Sequence, residues 1–99
     1  MRVLPGIVDA VGDFPVMIDS GFRRGTDVLK ALALGARFVF VGRPMLYATA
    51  IAGSAGAHHA IQLLKDEIAR DMALIGIASL DQVRDGRVFR VRNDPVVLP

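Results

Sequence analysis

Pro15-Val16-Met17-Ile18-Asp19-Ser20-Gly21-Phe22-Arg23-Arg24-Gly25-Thr26-Asp27-Val28-Leu29-Lys30-Ala31-Leu32-Ala33-Leu34 is the stretch that decides how this chain folds. An apolar run ends in a loop rich in glycine and arginine, and an amphipathic helix pattern follows at once. Glycine lets the backbone take positive φ or come close to a ligand. Arginine adds a planar fork of donors, and the following helix is expected to point its free N–H groups at the same spot. The combination is built to hold a doubly charged oxyanion such as a phosphate.

A second copy of this logic follows. Phe38-Val39-Phe40-Val41 is another apolar run, and it stops at Gly42-Arg43-Pro44. Neither run alternates with polar residues, so both read as strands of the fully buried kind. Between them, Thr26 is the expected N-cap, Asp27 places a negative charge on the positive helix end, and Gly35 is the expected C-cap. Upstream, Val3 to Val11 has helical spacing, with Pro5 in its first turn and Gly12-Asp13 ending it. Downstream, Pro44 suits the start of a short helix through Tyr47, which Gly53-Ser54-Ala55-Gly56 interrupts. A long helix is then expected over 57–75, with Ile61, Leu64, Ile68, Met72 and Ile75 in one apolar stripe and Asp66 facing Arg70. Gly76 ends it. A helical hint covers Leu80 to Val83, Asp85-Gly86 is a turn, and Arg87 to Arg92 is open between strand and coil.

Buried strands alternating with helices argue for an α/β fold with a parallel sheet. In such folds ligands bind beyond the carboxyl ends of the strands, so the two glycine-arginine loops should share one rim. Eight-stranded barrels hold a phosphate in this way, at the loops after strands seven and eight and beside a short helix.

The 99 residues suffice for one small domain, and 53% apolar against 22% charged residues is a globular composition. Twelve basic and ten acidic side chains leave a formal charge of only +2. Lys30 and Lys65 are the only lysines, and an arginine excess suits bidentate oxyanion contacts better than diffuse attraction to a polyanion. With no cysteine, a disulfide framework, a thiolate nucleophile and a cysteine metal site are excluded, and a reducing compartment is compatible. No apolar run approaches the roughly 18 residues that span a bilayer, and the start lacks the apolar core of a signal peptide. The expected location is cytoplasmic, with peripheral membrane association left open.

Asp19 to Gly25, Lys30-Ala31-Leu32-Ala33-Leu34-Gly35-Ala36 and Val41-Gly42-Arg43-Pro44 together resemble the C-terminal signature of the FMN-dependent α-hydroxy-acid dehydrogenases and oxidases. Leu4-Pro5-Gly6-Ile7-Val8 and Leu63-Leu64-Lys65-Asp66-Glu67-Ile68 are similar to that family as well, and the resemblance covers about residues 2 to 80. It implies the C-terminal part of a TIM (β/α)8 barrel, about its last two βα units with flanking helices, over residues 1–80, and a tail over 81–99. It also implies an FMN phosphate held by Gly21, Arg23, Gly42 and Arg43, with Asp19 and Ser20 on the ribityl side and Phe22 among the cofactor-side residues. Many members have Gly where Ser20 stands, and Ser occurs in the mandelate-type branch. The implied reaction oxidises a small L-2-hydroxy acid to a 2-oxo acid by hydride transfer to flavin, in a full-length homo-oligomer. The family's catalytic histidine and substrate arginine lie in a His-Gly-Gly-Arg segment that these 99 residues do not contain; its expected place is before Met1. The chain by itself is therefore expected to bind FMN poorly or not at all and to show no turnover.

Plainer readings stand beside these. Arg24 is open between a phosphate contact and a structural ion pair, and Asp19 between a flavin contact and a cap. His58 and His59 are adjacent, about 100° apart on a helix, and read as a solvated face. Met17, Met45 and Met72 read as core filler, and Tyr47 as packing with its hydroxyl at the surface. Arg84, Arg87, Arg90 and Arg92 form a basic tail that Asp81, Asp85 and Asp94 interrupt, so no nucleic-acid partner is expected. Two other functions remain open at this point. One is a different phosphate-binding barrel dehydrogenase, of the inosine-monophosphate or dihydroorotate type; the other is a phosphate-binding or assembly module without chemistry.

Overall fold

The computed structural model describes residues 1–86 and 91. Six elements follow in order: α1 (Leu4–Val11), β1 (Met17–Ile18), α2 (Gly25–Ala33), β2 (Phe38–Val39), α3 (Arg43–Leu74) and α4 (Leu80–Val83). The strands pair in parallel, Met17 opposite Phe38 and Ile18 opposite Val39. Parallel neighbours need a crossover connection, and α2 supplies it. The pairing extends one residue beyond each short strand: the Arg37 N–H donates to the Val16 carbonyl at 2.8 Å and the Phe40 N–H to the Ile18 carbonyl at 2.9 Å.

α2 is the centre of the packing. Its Ala31 joins Leu4 of α1, Phe22 and Ala36 in one buried cluster, against which Val8, Val16, Ile18, Val39 and Val41 pack. Leu29 and Leu32 join Ile77 and Val83 in a second cluster, which Ile68 and Met72 of α3 close. On α1 the apolar residues therefore divide. Leu4 and Val8, four apart, face the core, while Val3, Ile7 and Val11 are exposed.

The strands are apolar on both faces, as expected, but only one face is covered among the described residues. Val16, Ile18, Val39 and Val41 point to the helices. Met17, Phe38 and Phe40 lie on the other side, 62%, 55% and 47% exposed. This corrects the reading of both runs as fully buried and of Met17 as core filler: two strands carry one layer of helices and nothing described here covers the second face.

The helix boundaries also differ in informative ways. Arg24, not Thr26, caps α2, because Asp27 accepts the amide protons of Arg23 and Arg24 and so starts the helix two residues earlier. Gly35 takes φ +107°, and its N–H and that of Ala36 close the last turn on Leu32 and Ala31. The expected break after Tyr47 is a kink in α3 at Ala52 and Gly53, where Gly53 takes φ +58°. The expected Asp66–Arg70 pair is not formed among the described residues, and the expectation for Arg87 to Arg92 lies outside them except at Val91. No helix of the described residues is long and apolar enough to cross a membrane.

Candidate functional site

Beyond the carboxyl ends of β1 and β2 the two glycine-arginine loops meet. Asp19, Ser20, Gly21, Phe22 and Arg23 from the first loop, and Gly42 and Arg43 from the second, border one concavity of about 250 Å³. Parallel pairing is what brings them together: two strands in register must deliver their following loops to the same edge. Phe40, Pro44 and Leu46 complete the lining.

The loop backbone is shaped for close approach. Ser20 and Gly21 take φ +90° and +80°. Among the described residues the amides of Gly21, Phe22 and Gly42 donate to no acceptor, and a Cβ at Gly21 or Gly42 would meet nothing within 4 Å. The glycines thus keep the space clear and leave backbone donors in it. Arg43 opens α3; the Met45 and Leu46 amides donate to the Gly42 carbonyl and Pro44 has no N–H, so among the described residues the open amide of this first turn is that of Arg43. Arg23 and Arg43 are both exposed. Open amides, two guanidinium groups and a helix start around one hollow are donors of the kind that suit a dianion. Among the described residues no cluster of His, Cys, Asp or Glu is arranged for a metal ion.

The start of α2 departs from the expectation. The amides at the start of α2 are not offered to the concavity. Asp27 takes those of Arg23 and Arg24, at 3.2 and 3.1 Å, and Glu67 of α3 takes that of Gly25 at 2.8 Å. The helix start that borders the hollow is that of α3. Arg24 likewise turns away: its Nε meets the two Glu67 oxygens at 2.9 and 3.1 Å, the structural ion pair of the two readings open for it. These hydrogen bonds, from the Gly25 amide first and Arg24 second, hold the Glu67 carboxyl below its ordinary pKa. Gly25 itself serves this contact and no ligand, since a Cβ there would lie 2.7 Å from the Ile68 nitrogen and 2.8 Å from Glu67.

Phe22 borders the concavity, but the residue is 4% exposed and packs in the core with Leu4, Ala31 and Ala36. It anchors the loop. Asp19 accepts the Ser20 N–H at 2.7 Å through Oδ1, which supports the φ +90° backbone at Ser20. His58 and His59 are exposed on α3, and neither borders the concavity. Glu67 is the contributor that reasoning from local pattern missed. It acts across 42 residues of sequence, and its one signal was the Leu63 to Ile68 segment.

A parallel strand–helix–strand unit with two glycine-arginine loops meeting at its strand ends is the arrangement of an α/β protein with its concavity beyond the carboxyl ends of the strands. The family model described as FMN-dependent dehydrogenase matches residues 1–90, and the chain belongs to that family. Glycolate oxidase 2 of Oryza sativa subsp. indica is 55% identical over 80 residues, 81% of this chain and 22% of the relative. L-lactate oxidase of Nostoc sp. is 51% identical over 84 residues, 84% of this chain and 23% of the relative. A soluble mutant of (S)-mandelate dehydrogenase from Pseudomonas putida superposes with a TM-score of 0.79 at 44% identity, covering 84% of this chain and 24% of that one. A mandelate oxidase structure with an FMN adduct matches with a TM-score of 0.77 at 46% identity. The chain thus spans about a quarter of the length of the relatives it matches.

Proposed function

We propose that this chain is the part of a 2-hydroxy-acid oxidase or dehydrogenase that holds the phosphate of FMN, built from about the last two βα units of an eight-stranded barrel. The observation that carries the reading is the single concavity shared by Gly21, Arg23, Gly42 and Arg43. FMN ends in a phosphate dianion, and the free amides of Gly21, Phe22 and Gly42 with the Arg23 and Arg43 guanidinium groups match it in charge and donor type. Asp19 and Ser20 stand on the ribityl side. When bound, FMN supplies the hydride acceptor. The residues of this chain bind and orient, and none of them is assigned to proton transfer. The substrate is a small L-2-hydroxy acid and the whole enzyme a homo-oligomer. The exposed face of Met17, Phe38 and Phe40 is then the side that the other strands of the barrel cover.

The test is a chimera in which residues 1–80 replace the matching C-terminal segment of the rice glycolate oxidase. A folded chimera that keeps FMN and reduces an acceptor with glycolate, lactate or mandelate is the expected result. A chimera that folds and purifies without flavin overturns the reading. The 99-residue chain alone should give no sustained acceptor reduction with those acids and added FMN.

A further inference from the structure

We infer that Glu67 is a positioning residue for the phosphate cradle: it fastens the exit of the Gly21–Arg24 loop to α3 and withdraws Arg24, so that Arg23 is the loop's guanidinium left for the anion. The inference rests on the cradle reading above and deepens it. The contact is specific in its geometry. Glu67 accepts the Gly25 N–H at 2.8 Å and the Arg24 Nε at 2.9 and 3.1 Å, while Gly25 lies so close to Ile68 and Glu67 that no Cβ fits. The loop backbone is thereby set against the α3 backbone, with nothing between them to compress or rotate. An exposed ion pair adds little stability by itself, and the Arg24 side chain is 71% exposed. The arrangement is better explained by what it places than by what it stabilises.

The same helix carries the other half of the cradle. α3 begins at Arg43, turns at the Ala52–Gly53 kink, and returns so that Pro44 and Met45 of one arm and Leu64 and Glu67 of the other line one groove together with Arg23. One element therefore sets both guanidinium groups: Arg43 directly, and Arg23 through the Glu67–Gly25 contact. Binding of a dianion by two forks depends on their spacing, and supporting groups of this kind change affinity about tenfold or more when removed.

The experiment uses the 99-residue chain, followed by amide NMR, in three forms: unaltered, Glu67→Ala and Glu67→Gln. Hydrogen exchange at Arg23 and Arg24 is the first readout, because Asp27 holds those amides and Glu67 does not. Both should exchange about tenfold faster in Glu67→Ala, with Glu67→Gln, which keeps an acceptor for Gly25, close to the unaltered chain. Titration with inorganic phosphate is the second. Glu67→Ala should bind about tenfold more weakly and Glu67→Gln should recover most of the loss. Unchanged exchange at Arg23 and Arg24, or Glu67→Gln failing exactly as Glu67→Ala does in both readouts, overturns the assignment. If phosphate moves no amide of the unaltered chain, the cradle reading fails, and exchange alone decides the role of Glu67. If Glu67→Ala does not fold, the comparison of Glu67→Gln with the unaltered chain decides: near-equal exchange and affinity uphold the assignment, and a tenfold loss in both overturns it.

Discussion

Two glycine-to-alanine changes in this chain should have opposite signs. Gly6 lies within α1, and a Cβ there would meet nothing within 4 Å. Alanine at an open helical position removes the conformational cost of glycine, and Gly6→Ala should stabilise the chain by up to about 1 kcal/mol. Gly25 opens α2, and its Cβ would sit 2.7 Å from the Ile68 nitrogen and 2.8 Å from the Glu67 carbonyl carbon and Cβ. Two of those three atoms are backbone, so no rotamer change relieves the clash and α2 must move away from α3. Overpacking of this kind costs about 1–3 kcal/mol, and a collision with backbone belongs at the upper end. Subtracting the propensity gain of up to about 1 kcal/mol leaves Gly25→Ala destabilised by about 2 kcal/mol. For a domain of this size that is a fall in Tm of about 8–16 °C, read by circular dichroism on the two variants in parallel. Equal shifts of the same sign, or a Gly25→Ala variant that melts at or above the parent, would refute the close α2–α3 contact on which the loop placement depends.

Ser20 at φ +90° stores strain that a glycine would release. Relief of about 1–2 kcal/mol, set against the entropic cost of glycine of about 0.5–1 kcal/mol, makes Ser20→Gly slightly stabilising, whereas the β-branched Ser20→Val should lose about 2 kcal/mol in a urea titration. Glu67 has its pKa lowered by the Gly25 amide and Arg24, so its contribution to stability is present above the ordinary glutamate pKa of about 4.3 and is lost as pH falls through the lower folded value. Urea midpoints measured at falling pH should therefore drop less steeply in Glu67→Gln than in the parent over that acidic window. Leu29 of α2, 3% exposed and clustered with Leu32, Ile77 and Val83, should cost about 2–4 kcal/mol as Leu29→Ala, and a loss under 1 kcal/mol in the same titration would count against the second core cluster.

The part of this architecture legible in the sequence is the part set by local pattern. The apolar runs ending at Asp19 and Gly42 mark strand ends, and the spacing from Val28 to Leu34 marks the crossover helix. Parallel pairing then obliges the loops to meet, which is why the seven cofactor-side residues read from the sequence border one hollow. What escaped was non-local or reciprocal. Thr26 looked like a cap because it precedes the apolar spacing; Asp27 reaches back to Arg23 and Arg24 and moves the cap to Arg24. Gly25 read only as one glycine of the loop; the fold shows α3 pressed against it. The free amides were expected on α2, but Asp27 takes those of Arg23 and Arg24 and Glu67 that of Gly25, and the helix start that borders the hollow is that of α3. The apolar run Phe38 to Val41 does not tell which of its faces the described residues cover, and Phe38 and Phe40, edge to face with ring centroids 5.0 Å apart, stay exposed.

The most direct measurement is an amide-shift titration of this chain with FMN and, in parallel, with riboflavin, which has the same ring and ribityl chain but no phosphate. Weak, roughly millimolar binding of FMN that moves Gly21, Phe22 and Gly42, absent with riboflavin and lost in the Arg23→Ala, Arg43→Ala double variant, is the result predicted for a phosphate cradle. Those three amides standing still with FMN, or moving equally with riboflavin, would contradict it.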